Sequence, residues 1–359
     1  LDTTGFFSFV PFGTAIACCA ICLTTAASPF PIGGEISLNS INLSEPVTIK
    51  ANFDDWETDE LKSGNRLYSK QVARTSVILN RVHIGYSKHL YYFLNFSDDT
   101  ARLHYLERNG GLKQEKSTYD IYLDANNAEA EGLHLGYTAS WRGLTVKTTL
   151  TYLNLQDLYY GEAYGLFDPS ETMNNQTRIT IDYAYPEDRI FERDVDPPEG
   201  NGVTIDVNLR YEWRDHLVNL DIGEAYSDLY WNTAPGSRIE GNINRLLSSN
   251  EAAIQYSHFR TRFHQRLPVH TELSYRYRLQ ERFGTGVDYE KLDRKKWLKW
   301  VGDWHINNQW TGSLTWAPEE HIWGLRIAHS NFLFDLETDD TDYRKSHFLK
   351  LQFMARLVF

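Results

Sequence analysis

The chain predicts an all-β fold: a transmembrane antiparallel β-barrel of about 14–16 strands. Three observations carry this. Short segments in which apolar and polar residues alternate recur to the end, with no convincing amphipathic helix between them. The apolar series end in Tyr or Trp, as side chains do at the two interfaces of a bilayer. The last stretch, from Ser346 to Phe359, sets Leu349, Leu351, Phe353, Ala355, Leu357 and Phe359 on one face and Lys350, Gln352 and Arg356 on the other. Successive strand side chains point to opposite sides, so this strand has one greasy side and one mostly polar side. Sixteen strands are preferred over fifteen or fourteen, the number being even in barrels of this kind.

Composition agrees. At 359 residues the chain could hold two ordinary domains, but a large barrel is one unit. Aromatic residues make up 14%, with 22 Tyr and 10 Trp, and charged residues 23%. With a mean hydropathy of −0.48, a bundle of membrane helices is excluded. A barrel tolerates such polarity because only alternate residues face lipid. A net charge of −12 argues against a nucleic-acid partner, which requires a basic footprint. Much of the acidity lies in candidate loops, Asp54 to Glu60 and Glu337 to Asp342.

The one long apolar run, residues 6–27, ends in small residues, with Thr25 and Ala27 suited to the −3 and −1 positions of a signal-peptidase site. Residues 1–27 are therefore expected to be a signal peptide, although no Lys or Arg precedes the run. A retained membrane helix is the alternative. Cys18, Cys19 and Cys22 all lie inside it, so the mature chain is expected to have no disulfide, thiolate ligand or cysteine nucleophile. Residues 28–45 read as a polar periplasmic lead and 46–359 as the barrel.

Within the barrel, Val47, Ile49, Ala51 and Phe53 alternate with polar residues and read as the first strand. A second run from Val77 to Tyr86 is expected to turn at Ser87-Lys88-His89 into Leu90 to Phe96. Leu133, Leu135, Tyr137, Ala139 and Trp141 lead to a tight turn at Arg142-Gly143, followed by Leu144, Val146, Thr148, Leu150 and Tyr152. The clearest strand sets Val203, Ile205, Val207, Leu209, Tyr211 and Trp213 against Thr204, Asp206, Asn208, Arg210, Glu212 and Arg214. Short connections are expected at Arg214-Asp215-His216, Ser248-Ser249-Asn250 and Ala317 to Glu320. Long ones are expected at 55–68, 108–116, 158–176, 284–296 and 335–345. Short turns belong on the periplasmic side and long loops outside, which places Ala317 to Glu320 inside. The segment 187–201 falls on the wrong side of that alternation.

The closing strand, with apolar residues at alternate positions and Phe359 at its end, resembles the C-terminal signature of bacterial outer-membrane β-barrels. The resemblance covers only that strand. It implies a bacterial outer-membrane location in contact with lipid, and recognition of Phe353, Leu357 and Phe359 by the barrel assembly machinery. A soluble sandwich ending on an edge strand is the competing reading.

Function is then expected on the polar faces and outer loops. His258, Arg260 and Arg262 share one face of the segment 252–263. His270, Glu272, Arg276 and Arg278 share one face of 269–283. If the two segments adjoin across His264 to Pro268, four arginines form one basic patch in the lumen, extended by Arg238, with Glu240 as a candidate counter-charge. A ring of Arg sets anion preference in a pore; the competing reading is that these charges pair across strands. His329-Ser330-Asn331 is a weak acyl-hydrolase candidate, because neighbours on a strand point to opposite sides. Asp54-Asp55 and Asp339-Asp340 are weak protease candidates. No cofactor motif or metal-ligand spacing is present. The expectation is an outer-membrane channel passing small polar or anionic solutes. A polysaccharide export pore and a barrel enzyme (acyl hydrolase or protease) are the alternatives.

Overall fold

The computed structural model describes residues 32–110, 118–167, 178–187, 193–241, 254–307 and 309–358. The expected signal peptide, the three cysteines, the Ser248 to Asn250 turn and Phe359 lie outside the described residues.

Sixteen strands follow in order: β1 (Ile32–Ser44), β2 (Arg66–Leu79), β3 (Val82–Phe96), β4 (Tyr119–Trp141), β5 (Leu144–Phe167), β6 (Arg178–Ala184), β7 (Glu199–Trp213) and β8 (His216–Gly241), then β9 (Ile254–Gln265), β10 (His270–Arg278), β11 (Phe283–Leu292), β12 (Lys295–His305), β13 (Thr311–Ala317), β14 (Ile322–His329), β15 (Phe332–Thr338) and β16 (Phe348–Val358). Two short helices, α1 (Ile49–Phe53) and α2 (Asp98–Asn109), sit in the first two long connections.

All pairings are antiparallel, and β16 pairs with β1 from Gly33–Val358 to Leu43–Phe348, which closes the wall. Around the ring there are fourteen staves rather than sixteen. The difference lies in two broken staves. β6 and β7 both run between β5 and β8, β6 opposite Tyr160 to Leu166 and β7 opposite Leu144 to Leu155. The out-of-place segment 187–201 is largely the break between them. Likewise β9 and β10 both run along β8, one opposite Leu229 to Gly241 and the other opposite His216 to Gly223. They are not a hairpin. Leu267-Pro268 explains why: proline has no N–H to close a turn there and holds its predecessor extended, so the chain carries on in the same direction.

Other expectations also change. The expected lead 28–45 is wall from Ile32 to Ser44. The alternation at 47–53 becomes α1, because Thr48 Oγ1 accepts from the Ala51 amide at 3.1 Å and caps it. Ser87 and His89 lie inside β3, fully buried; polar residues facing an interior imitate a turn. The turn itself is Asn80-Arg81, with Asn80 at φ 58°. Residues 284–296 are mostly β11 and β12, joined at Asp293-Arg294.

Connections at the end carrying the finish of β16 are short, including Asn80-Arg81, Arg142-Gly143, Arg214-Asp215 and Ser330-Asn331. At the other end, the loop end, lie the segments with α1 and α2 and residues 339–347. The turn 318–321 is also at the loop end, opposite to its expected side. The reversal at Ser330-Asn331 is hidden in a strand-like run of sequence, and it shifts the alternation by one strand.

Candidate functional site

The outward face of the wall is apolar and exposed: Ile84, Leu133, Leu135, Leu150, Leu298, Leu314 and Leu357 are among its side chains, with Tyr137, Trp141, Tyr152, Trp213, Trp300 and Trp316. At the short-turn end Arg142 lies over the Trp141 ring and Arg214 over Trp213, at 5.0 and 5.1 Å from the centroids. A closed wall leaves no unpaired strand edge to lipid, and aliphatics ending in Trp and Tyr match a bilayer and its interfaces. The chain is a β-barrel of the outer-membrane type.

Its interior is filled. On β2, Lys70 pairs with Glu224 of β8, and Arg74 with Asp206 of β7. Tyr91 on β3 donates to Glu224 at 2.9 Å, and Tyr68 on β2 donates to Asp293 at 2.8 Å. A round barrel of fourteen staves is on the order of 25 Å across, too wide for a lysine and a glutamate five staves apart to meet. The barrel is therefore flattened, and side chains cross it. Toward the loop end an apolar layer that includes Tyr68, Phe93, Leu153, Trp231, Trp297 and Phe348 closes the section. Beside it a second charged group joins Lys350 to Glu272 and Glu290, each at 3.0 Å, and Lys299 to Glu290 and Glu337.

The predicted lumen residues divide. His270, Glu272 and Arg276 face inward on β10. His270 Nε2 lies 2.9 Å from Glu290 Oε1. Arg276 donates to Asp288 at 2.8 Å and lies 3.4 Å from Asp303. Ligand atoms of His270, Glu272 and Glu290 lie within 4.8 Å of one another, but the Lys299 and Lys350 ammonium groups already sit on these carboxylates. Arg278 is exposed at the short-turn end. His258, Arg260 and Arg262 are exposed on β9, on the face opposite Phe263 and Gln265, and Gln265 accepts from Trp231 Nε1 in the interior. Arg260 pairs with Asp196. Arg238 and Glu240 pair with each other near the loop end at 2.9 Å. The single basic patch does not form. Arg260 and Arg276 are opposite Pro235 and Leu217, on the order of 50 Å apart along β8.

The enzyme candidates are occupied by structural bonds or exposed in a turn. His329 Nδ1 is 3.4 Å from Ser330 Oγ in the exposed β14–β15 turn, where the His329 ring packs on Trp310. Their shared turn, rather than a strand, brings the two together. Asp339 accepts the His347 and Phe348 amides. Asp54 pairs with Lys50, and Asp55 with Arg108. On the closing strand Leu357 points outward at 68% exposure and Phe353 packs edge-on against Phe332.

The feature that sequence reasoning missed is a cavity of about 950 Å³ at the loop end. Its wall includes Leu67, Tyr92, Leu94, Phe96, Leu123 and Ile181, and α1 and α2 cover it. These wall side chains share the strand face of the lipid-facing belt. Between belt and cavity the outward face turns polar, with Lys88 paired to Glu129 and Tyr86 bonded to Glu131. Nearby β5 carries a bulge beside Asp157. The cavity thus lies beyond the belt, on the aqueous side of the loop end.

Two distant loops make its cover. Ser97 Oγ accepts from the Thr100 amide at 3.1 Å to start α2, with Asp98 and Asp99 on the positive end of its dipole. Asn109 at the other end donates to Trp56 O at 2.7 Å and accepts from the Thr58 amide at 3.0 Å. Asp55 and Trp56 hold positive φ angles of 56° and 64°, which turn the Trp56 indole into the cavity cover, 4.8 Å from the His104 ring and edge-on to it. Burial, and then the neighbouring Arg108, push the His104 imidazole below its ordinary range.

No family model and no curated protein matches the chain. Solved structures do. A TodX mutant described as a monoaromatic hydrocarbon channel is 8% identical over 92% of this chain and 91% of its own, with a TM-score of 0.44. The Ralstonia pickettii toluene transporter TbuX is 12% identical, over 91% and 88%, with a TM-score of 0.36. OmpT, an outer membrane protein of Vibrio cholerae, is 8% identical, over 94% and 99%, with a TM-score of 0.24. The assignment of a barrel rests on the closed hydrogen-bond circuit described above.

Proposed function

We propose that the protein is a bacterial outer-membrane channel for small, largely apolar molecules, loaded at the cavity under α1 and α2. The observation that carries this is the contrast between two spaces. The lumen is crossed by paired charges and an apolar layer, whereas the cavity is open, aromatic-walled and of a size that suits a small organic ligand. Diffusion of polar or anionic solutes, the expectation from sequence, requires an open lumen with surplus cations. Arg276 is instead neutralised by Asp288 and Asp303. Export of a polysaccharide requires the same open section. With short turns in the periplasm and long loops outside, the cavity faces the external medium and captures its ligand there.

Planar-bilayer recording tests the reading. The wild-type protein is expected to show no sustained open-pore current in potassium chloride. A steady ohmic conductance with anion or cation selectivity would restore the open polar pore.

A further inference from the structure

The walls and surroundings of this cavity define its ligand further. Trp56, Tyr92, Phe96, Tyr159, Tyr183 and Tyr185 contribute to its lining. Trp56 and Phe96 lie 6.2 Å apart, and Tyr183 and Tyr185 4.7 Å apart. The first pair is edge-on and the second tilted, and the Tyr185 hydroxyl accepts from Arg193; an aromatic ring attracts a cation over its face. The charged residues lining it are mostly acidic: Lys50 stands against Asp54, Asp55, Glu57, Glu162 and Glu187. Lys50 is engaged by Asp54, and Asp55 by Arg108, while Glu57 is exposed at the rim.

The same sign extends over the described loop-end connections. Segments 45–65, 97–110, 293–294, 318–321 and 339–347 together hold fifteen Asp and Glu against seven Lys and Arg. Such a surface concentrates cations and repels anions on approach.

Resting on the reading of this cavity as the ligand site, we infer that it takes aromatic or branched apolar molecules bearing a cationic amine head, in preference to neutral hydrocarbons, and rejects carboxylates. The apolar body packs against Leu94, Phe96 and Ile181. The ammonium lies against aromatic faces at the rim, with Glu57 beside it.

Three probes decide this: phenyltrimethylammonium, its neutral isostere tert-butylbenzene, and the aromatic anion benzoate. Each is titrated against the full chain in nanodiscs of uncharged lipid by calorimetry. The cation is expected to bind on the order of tenfold more tightly than the isostere, with benzoate weakest, and its advantage should shrink as salt rises. Glu57→Gln should reduce the cation's advantage and leave tert-butylbenzene affinity unchanged. Equal or tighter binding of tert-butylbenzene overturns the charge preference while leaving the apolar site standing. Binding of none of the three overturns both.

Discussion

Lys70 on β2 and Glu224 on β8 form an ion pair across the interior of the barrel, both almost completely buried. Glu224 reaches it from a residue with φ 50°, in an interrupted stretch of the β7–β8 ladder, and the neighbouring Gly223 leaves the room: a Cβ there would stand 2.9 Å from Lys70 Nζ. Removing one partner strands a buried charge, so Glu224→Leu should destabilise the barrel by about 3–5 kcal/mol, and the double variant with Lys70→Met should recover most of it. Urea unfolding followed by heat-modifiable gel mobility measures both. Equal losses in the single and double variants would show that the pair does not hold the walls together.

Topology gives a second outcome. With Cys18, Cys19 and Cys22 replaced by Ser, single cysteines at Glu319 and Glu60 should both react with a membrane-impermeant maleimide on intact cells, and one at Asp215 should not. Labelling of Asp215→Cys without Glu319→Cys would invert the barrel.

Much of the wall was legible in sequence. The outward series on β4, β5 and β7 follow from period two alone, since lipid favours apolar residues at alternate positions. The breaks were not. Leu267-Pro268 looks like a hairpin turn in sequence, and only the pairing of both β9 and β10 with β8 shows that it continues one stave. Inward charges could be placed on a face, but their partners could not, because Lys70 and Glu224 are joined by flattening of the barrel and not by any local rule. α2 does carry a sequence signal: Ser97-Asp98-Asp99-Thr100 is an N-cap followed by acidic first-turn residues. The cavity is formed by strands and loops far apart in the chain, and no motif announces it.

The closing strand offers a third test. Phe353 faces outward midway along β16, packed on Phe332. Phe353→Lys should cost about 2–4 kcal/mol at the bilayer midplane and lower the yield of folded barrel. Normal yield and unchanged unfolding would remove this face from the lipid.

His104 sets a pH dependence. Its folded imidazole sits below the ordinary value because burial and Arg108 oppose protonation. The cover is thus most stable above the unfolded imidazole value of about 6.5 and loses that stability as pH falls through it toward the depressed folded value. Ligand affinity of the cavity should therefore drop from pH 7 to pH 5, and His104→Gln should flatten the profile. A profile that keeps its slope in His104→Gln would assign the effect to other groups.

The most direct measurement is binding of a neutral aromatic to the cavity itself. Ala163 stands in its wall on β5, where a Trp side chain would fill the space. Fluorescence of N-phenyl-1-naphthylamine is recorded with the protein in nanodiscs, wild type against Ala163→Trp. Saturable enhancement in the wild type, abolished in a variant that keeps its heat-modifiable mobility, is the predicted result. Equal saturable binding by both proteins, or none by the wild type, would contradict capture at this site.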